Sequence, residues 1–358
     1  MRECPDDLPN ELTPEMLELL ERVAEEDGPQ PDPTLLPASE GRAAAARGNL
    51  RWNIDLPAMA RIHEFYVSAD PELGSAECRV RVLVPENHSA GALIFVHGGG
   101  FAFCSPETHE RCARVLAIES GMAVVVPDYR LAPEHPYPAG LMDVIACLRL
   151  LQSHPSVFGT EPGPLLVSGD SAGANLALAA MIHEYRLGRR LPDGGILFYG
   201  VYSADHTSPS HVRFADGPGL TTGKMSRYWN WYAPDPSVRL DPLASPLEAS
   251  NSELQALPSL WLMAAGIDPL LSDTIALGRR LHELGRDDPV TIVPGVVHGF
   301  LQMSVSLHAA RKALAEAGAA ARKLAQTNLL NGGNDEETHE EAAGSLQPCG
   351  GTISCGRG

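Results

Sequence analysis

The sequence has no long apolar runs. Its strand-like stretches, such as "ALIFV" and "MAVVV", hold about five apolar residues, whereas a bilayer-spanning helix needs about 20. No stable membrane insertion is expected. Positive charge is also scarce: 27 Lys and Arg stand against 45 Asp and Glu, for a net charge of −18. That balance argues against nucleic acid and anionic membrane as partners. Much of the excess falls at one end, where residues 1–27 carry ten acidic residues and two arginines. Paired cysteines are missing too. Cys4, Cys78, Cys104, Cys112, Cys147, Cys349 and Cys355 are scattered, with no C-x-x-C. Neither a disulfide framework nor a metal site is indicated. The N-terminus lacks an apolar signal region and is acidic where such a peptide is basic, so a cytoplasmic location is expected.

What is present is an alternating pattern. "TPEMLELLERVAEE" (13–26) reads as a helix, with Thr13 as cap, Pro14 at the first position, and Met16, Leu17, Leu20 and Val23 near one face. Residues 28–50 are rich in Pro and Ala and show no period. "IHEFYVS" and "CRVRVLV" alternate like half-buried strands. From there apolar runs ("ALIFVHG", "MAVVVPDY", "PLLVSGD", "GILFYG", "SLWLMAAG", "PVTIVPG") alternate with helical segments near 109–120, 138–153, 173–186, 273–284 and 302–325. Gly285 is placed to end the fourth of these. Strands buried on both faces and joined by helices predict a mostly parallel sheet in a three-layer α/β fold. The rhythm fails at 203–255, which holds prolines and "YWNWY" and reads as an excursion above the sheet. Beyond 326 there is no periodicity, and residues 327–358 read as a disordered tail.

The strongest chemical signal is "VSGDSAGAN". A strand runs into Gly169-Asp170-Ser171-Ala172-Gly173 and a helix follows, which is the setting that G-x-S-x-G requires. Glycines two residues either side let Ser171 project from a tight turn without side-chain collision. A serine hydroxyl needs an oriented base. Of 13 histidines, His298 in "VPGVVHGF" lies just past a strand, at the carboxyl edge of the sheet. Asp268 follows another strand in "GIDPLLSD" in the same way. Its rival Asp273, with Ser272, reads as the cap of the next helix. The order Ser…Asp…His matches one known arrangement of a nucleophile, acid and base.

The run "HGGGF" (97–101) could cradle a phosphate. A phosphate loop, however, wants Lys-Ser/Thr after its last glycine, and here Phe101, Ala102 and Phe103 follow with no cation nearby. The run instead resembles the HGGG-type loop that supplies oxyanion-hole donors in lipases and esterases; in such a loop glycines let bare backbone N–H groups approach the oxyanion of acyl transfer. Gly99 and Gly100 are assigned as donors, with the Ala172 N–H as the third. Gly98 serves the turn.

Taken together, "HGGGF" (97–101), "PDYRLAPEHPYPA" (127–139), "GDSAG" (169–173), "DPL" (268–270) and "HGF" (298–300) resemble the hormone-sensitive-lipase-like esterases (bacterial type IV), a branch of the α/β-hydrolases. The resemblance covers roughly residues 60–325. It implies an α/β-hydrolase fold with an eight-stranded, mostly parallel sheet flanked by helices. It also implies a helical cap, built from residues 1–50 and an insertion at 203–255, over a core at 51–202 and 256–326. The implied reaction is hydrolysis of short- to medium-chain carboxylic esters without a cofactor, on a small-molecule substrate. A homodimer is common in the family. Asp128, Arg130, Glu134 and Asp143 are expected to form a structural ion-pair network. The cap aromatics Tyr228, Trp229, Trp231 and Tyr232 are expected to pack rather than line the pocket. Ala174 departs from the family's usual glycine. Two other readings stay open: an amidase or deacetylase using the same residues, and a non-catalytic receptor like the plant gibberellin receptors. The presence of His298 counts against the receptor.

Overall fold

A computed structural model describes residues 10–340, with side chains through residue 326. Cys4, Cys349, Cys355 and the expected tail beyond residue 340 lie outside the described residues.

Eight strands form one sheet: β1 (Arg61–Val67), β2 (Cys78–Val84), β3 (Ala92–Val96), β4 (Ala123–Pro127), β5 (Leu165–Asp170), β6 (Gly194–Phe198), β7 (Leu260–Ile267) and β8 (Val290–Val297). Their spatial order is β1-β2-β4-β3-β5-β6-β7-β8. The first two pairings, β1 with β2 and β2 with β4, are antiparallel, and the rest are parallel. Every residue of β3, β4, β5, β6 and β7 is buried. That is why these strands read as continuous apolar runs: both faces are covered.

Alternate residues of each strand enter different layers. Ile94 and Val96 pack with α4 (Ala139–Ser153) and α5 (Ala172–Arg186). Leu93 and Phe95 face the other way, onto α1 (Pro14–Asp27), α3 (Glu110–Ser120) and α10 (His308–Glu340). Helix α9 (Leu271–Glu283) follows β7, and Gly285 just past it has a φ of 78°, the left-handed conformation that glycine adopts freely. Thr13 caps α1 as expected, accepting the Met16 N–H. The buried face of α1 is Met16 and Leu19, while Leu17 is 45% exposed.

Several expectations change. Residues 28–50 contain a helix, α2 (Ala38–Asn49), which alanine propensity supports without any apolar period. The segment expected as a helix over 302–325 opens as a tight turn, Phe300–Val305, before α10 begins at His308. Helix α10 then continues to Glu340, so the expected tail starts as helix; an Ala-rich stem makes each further residue cheap to add. The excursion at 203–255 carries α6 (Pro209–Arg213), α7 (Thr222–Tyr232) and α8 (Asn251–Ala256). The four anticipated residues do not form one network but divide among three ion-pair groups, and Arg79, which holds Asp128, also holds Glu64 and Glu107. Arg130 holds Asp143, Arg79 holds Asp128, and Arg42 holds Glu134. No helix among the described residues is long and apolar enough to cross a membrane.

Candidate active site

The strand–turn–helix at Ser171 is built by close approach. A Cβ on Gly169 would lie 2.5 Å from the Gly173 carbonyl carbon, and one on Gly173 would lie 1.9 Å from the Val96 carbonyl oxygen. Only glycine fits either place. Ser171 itself sits at φ 55°, a strained conformation for a residue with a Cβ, between the end of β5 and the first turn of α5. Its N–H donates to the Phe198 carbonyl at 2.9 Å, which ties the turn to the neighbouring strand.

Asp268 and His298 come from the carboxyl ends of β7 and β8, the same edge of the sheet. His298 Nε2 lies 2.9 Å from Ser171 Oγ, and His298 Nδ1 lies 2.7 Å from Asp268 Oδ2. The Asp268 carboxylate is fully buried, and its other oxygen accepts the Leu270 N–H at 2.9 Å. A fixed, desolvated carboxylate places the imidazole hydrogen on Nδ1, leaving the Nε2 lone pair for the serine hydroxyl. The Tyr199 ring meets the imidazole edge to face at 4.9 Å.

Asp273 does not cap its helix. It lies inside the first turn of α9, buried, and its carboxylate accepts the N–H groups of Tyr202 at 2.8 Å and Ser203 at 3.0 Å. It thus fastens the segment after β6. Burial pushes its carboxyl up to about 7.

The glycine loop lies across the pocket from His298. Gly99 and Gly100 take φ values of 118° and 59°, and among the described residues no acceptor engages either N–H. The Ala172 N–H opens α5 and has no partner within the helix. Gly98 donates to Asp170 Oδ1 at 2.8 Å, so it anchors the loop to the serine turn. The pocket has a volume of about 140 Å³. It is lined by Gly99, Gly100, Cys104, Asp170, Ser171, Val201, Leu220, Met225, Tyr228, His298, Gly299 and Gln302. The cap aromatics divide. Trp229 and Tyr232 pack, with Tyr232 stacked on Phe101 at 3.7 Å, but Tyr228 lies directly over Gly100 and walls the pocket. Sequence reasoning missed Tyr228 as a pocket wall and gave no signal for Gln302. Among the described residues no group of three or more His, Cys, Asp or Glu is placed to hold a metal ion.

A family model described as the α/β-hydrolase fold matches residues 93–302. The chain belongs to the α/β-hydrolase family. Within that family, carboxylesterase NlhH of Mycobacterium tuberculosis is 31% identical over 297 residues, which span 81% of this chain and 92% of that protein. The ethyl acetate hydrolase of Pseudomonas putida is 32% identical over 228 residues, or 63% of this chain and 71% of that one. An α/β-hydrolase enzyme from the metagenome of Lake Arreo, Spain, superposes with a TM-score of 0.82 at 33% identity, covering 88% of this chain and 99% of the other. The branch is that of the hormone-sensitive-lipase-like esterases, and this α/β-hydrolase is a carboxylic ester hydrolase.

Proposed function

We propose that Ser171, His298 and Asp268 carry out the ester hydrolysis, by way of an acyl-enzyme. The observation that carries this reading is the unbroken chain of contacts from Ser171 Oγ to His298 to Asp268, at 2.9 and 2.7 Å. Ser171 Oγ attacks the acyl carbon while its proton passes to His298 Nε2. Asp268 keeps the ring oriented and stabilises the imidazolium. The carbonyl oxygen becomes an oxyanion and accepts hydrogen bonds from Gly99, Gly100 and Ala172, each lowering the barrier by about 3 kcal/mol. The tetrahedral intermediate collapses, and His298 protonates the departing alkoxide. Water, deprotonated by His298, then attacks the acyl-enzyme and releases the acid.

The substrates we propose are short-chain esters. A small pocket closed by Tyr228 supports this, as does the similarity to the Pseudomonas ethyl acetate hydrolase. We treat the expected cap segments 1–50, of which residues 1–9 lie outside the described residues, and 203–255 as one unit; Arg227 on α7 joins their described parts, reaching Asp32 and Thr34 at 2.6 Å each. A cytoplasmic location fits the free thiols Cys78, Cys104, Cys112 and Cys147. The test is turnover of p-nitrophenyl acetate, butyrate, octanoate and palmitate by the parent, Ser171→Ala and His298→Ala. Acetate or butyrate should be preferred, and both variants should lose activity. A parent that turns over none of the four contradicts the reading.

A further inference from the structure

Three directions leave the acyl carbon of an ester seated on Ser171. The carbonyl oxygen goes to the assigned donors Gly99, Gly100 and Ala172. The leaving oxygen must come within reach of His298 Nε2, which protonates it, so the alcohol part lies on the His298 side of the pocket. Gly299 and Gln302 wall the pocket there. They belong to the tight turn that follows His298, where the Gln302 N–H donates to the Gly299 carbonyl at 3.2 Å. Val201, Leu220 and Met225, from other segments, give apolar side chains to the rest of the wall.

The Gln302 amide is held at one end. Its Nε2 lies 2.8 Å from Nε2 of His109, the residue just before α3. An amide nitrogen only donates, so the ring nitrogen accepts. His109 Nδ1 in turn donates to Thr108 Oγ1 at 3.0 Å, and the Thr108 hydroxyl gives its own hydrogen to the Ser105 carbonyl at 2.9 Å. Asp170 Oδ1 is farther from the same ring nitrogen, at 3.4 Å, and takes the Gly98 N–H at 2.8 Å. The relay runs one way, from Gln302 to Ser105, and that fixes the amide. A half turn would set its oxygen against the lone pair of His109 Nε2. Thr108 and His109 are buried, so water does not compete for these bonds.

The other end of the amide is open. Among the described residues Gln302 Oε1 has no hydrogen-bond partner, and it is not one of the buried side-chain atoms left without one. It is therefore reached by water, on a residue that walls the pocket. The result is an oriented carbonyl oxygen, with two lone pairs, beside the place from which the alcohol departs.

We propose that Gln302 is a specificity-determining residue for the alcohol part of the ester: its Oε1 accepts a hydrogen bond from a second hydroxyl there, which makes short-chain monoesters of vicinal diols and polyols the preferred substrates. The nearest hydroxyl that a stable alcohol part can carry is on the carbon next to the ester-bearing one. That matches an acceptor in the turn that follows His298. A plain alkyl alcohol would strip Oε1 of water and give nothing back. The inference rests on the reading of His298 as the group that protonates the leaving alkoxide.

The test compares 2-hydroxyethyl butyrate with propyl butyrate, which have the same number of heavy atoms, by acid release in the parent and in Gln302→Met. Methionine keeps the length of the side chain and removes both polar ends. The hydroxyethyl-to-propyl ratio of kcat/KM should be at least about fivefold higher in the parent than in the variant, the scale of one neutral hydrogen bond. The intrinsic reactivities of the two esters are common to both proteins and cancel. An equal ratio in parent and variant overturns the proposal. So does a change of more than about threefold in the octanoate-to-acetate ratio on p-nitrophenyl esters, which would set Gln302 against the acyl chain. Should Gln302→Met fail to fold, the parent decides, with ethylene glycol and 1-propanol competing for the butyryl-enzyme formed from p-nitrophenyl butyrate. Either alcohol gives its hydroxyl proton to His298 as its oxygen bonds to the acyl carbon, and Ser171 Oγ leaves with that proton. The glycol ester should form about fivefold faster per hydroxyl at equal concentration, and equal rates overturn the proposal. Failure of the reading of His298 looks different, because esterase activity would then persist in His298→Ala.

Discussion

Gly173 lies so close to the Val96 carbonyl that a Cβ there would stand 1.9 Å from its oxygen and 2.6 Å from that of His97. Backbone of β3 cannot yield without moving the glycine loop that follows it. Gly173→Ala should therefore displace the turn that holds Ser171. The expected outcome is a loss of at least about 100-fold in kcat per folded molecule, or loss of the folded protein, since about 1 Å of misplacement is enough. Circular dichroism with active-site titration separates the two, and full activity in a folded variant contradicts the packing argument.

Tyr228 sets the size of the pocket. Its ring lies over Gly100, braced edge to face by Phe103 at 5.8 Å and Trp231 at 6.1 Å. Tyr228→Ala should open the pocket toward longer acyl chains, raising the octanoate-to-acetate ratio of kcat/KM by about tenfold, the scale on which apolar pockets discriminate methylenes. An unchanged ratio would place the acyl chain elsewhere.

Arg227 holds the N-terminal segment to α7. Because its ion pair with Asp32 is partly exposed, Arg227→Ala should cost no more than about 1 kcal/mol of global stability. Its effect should be local, with residues 28–37 cut earlier in limited proteolysis. Parental cleavage kinetics would show that the link is dispensable.

Asp273 makes stability depend on pH. Burial raises its carboxyl from 3.8 to about 7, so between those values the folded chain keeps a proton that the unfolded chain has released. Its contribution is full below the lower value and is lost as pH rises through the higher one. Asp273→Asn removes this titration. The urea midpoint of the parent relative to the variant should fall from pH 4.5 to 7.5, and a constant difference refutes the assignment.

The sheet was legible because its central strands, β3 to β7, are short, apolar and covered on both faces, because β1 and β2 alternate, and because each loop with chemistry follows a strand. The same logic brought Ser171, Asp268 and His298 to one edge. Other features depended on contacts between segments far apart in sequence. Asp273 reads as a helix cap locally, but its carboxylate is claimed by Tyr202 and Ser203 from another loop. Arg42 looks like an ordinary helix arginine, yet it donates to the Ala102 and Ala132 carbonyls at 2.8 Å each and so braces the glycine loop. Helix α2 left no periodic trace because only Gly41 among its residues is buried. Tyr228 and its neighbour Trp229 are both aromatic, and only the turn of α7 decides which one meets the pocket.

The central claim is that Ser171 is the nucleophile, with its hydroxyl 2.9 Å from His298 Nε2. The most direct measurement is reaction with diethyl p-nitrophenyl phosphate, followed by mass spectrometry of the peptide that carries the adduct. The account predicts one diethylphosphoryl group per chain, on Ser171, in step with loss of esterase activity, and none on Ser171→Ala. An adduct on another residue that tracks inactivation, or esterase activity retained in Ser171→Ala, would contradict it.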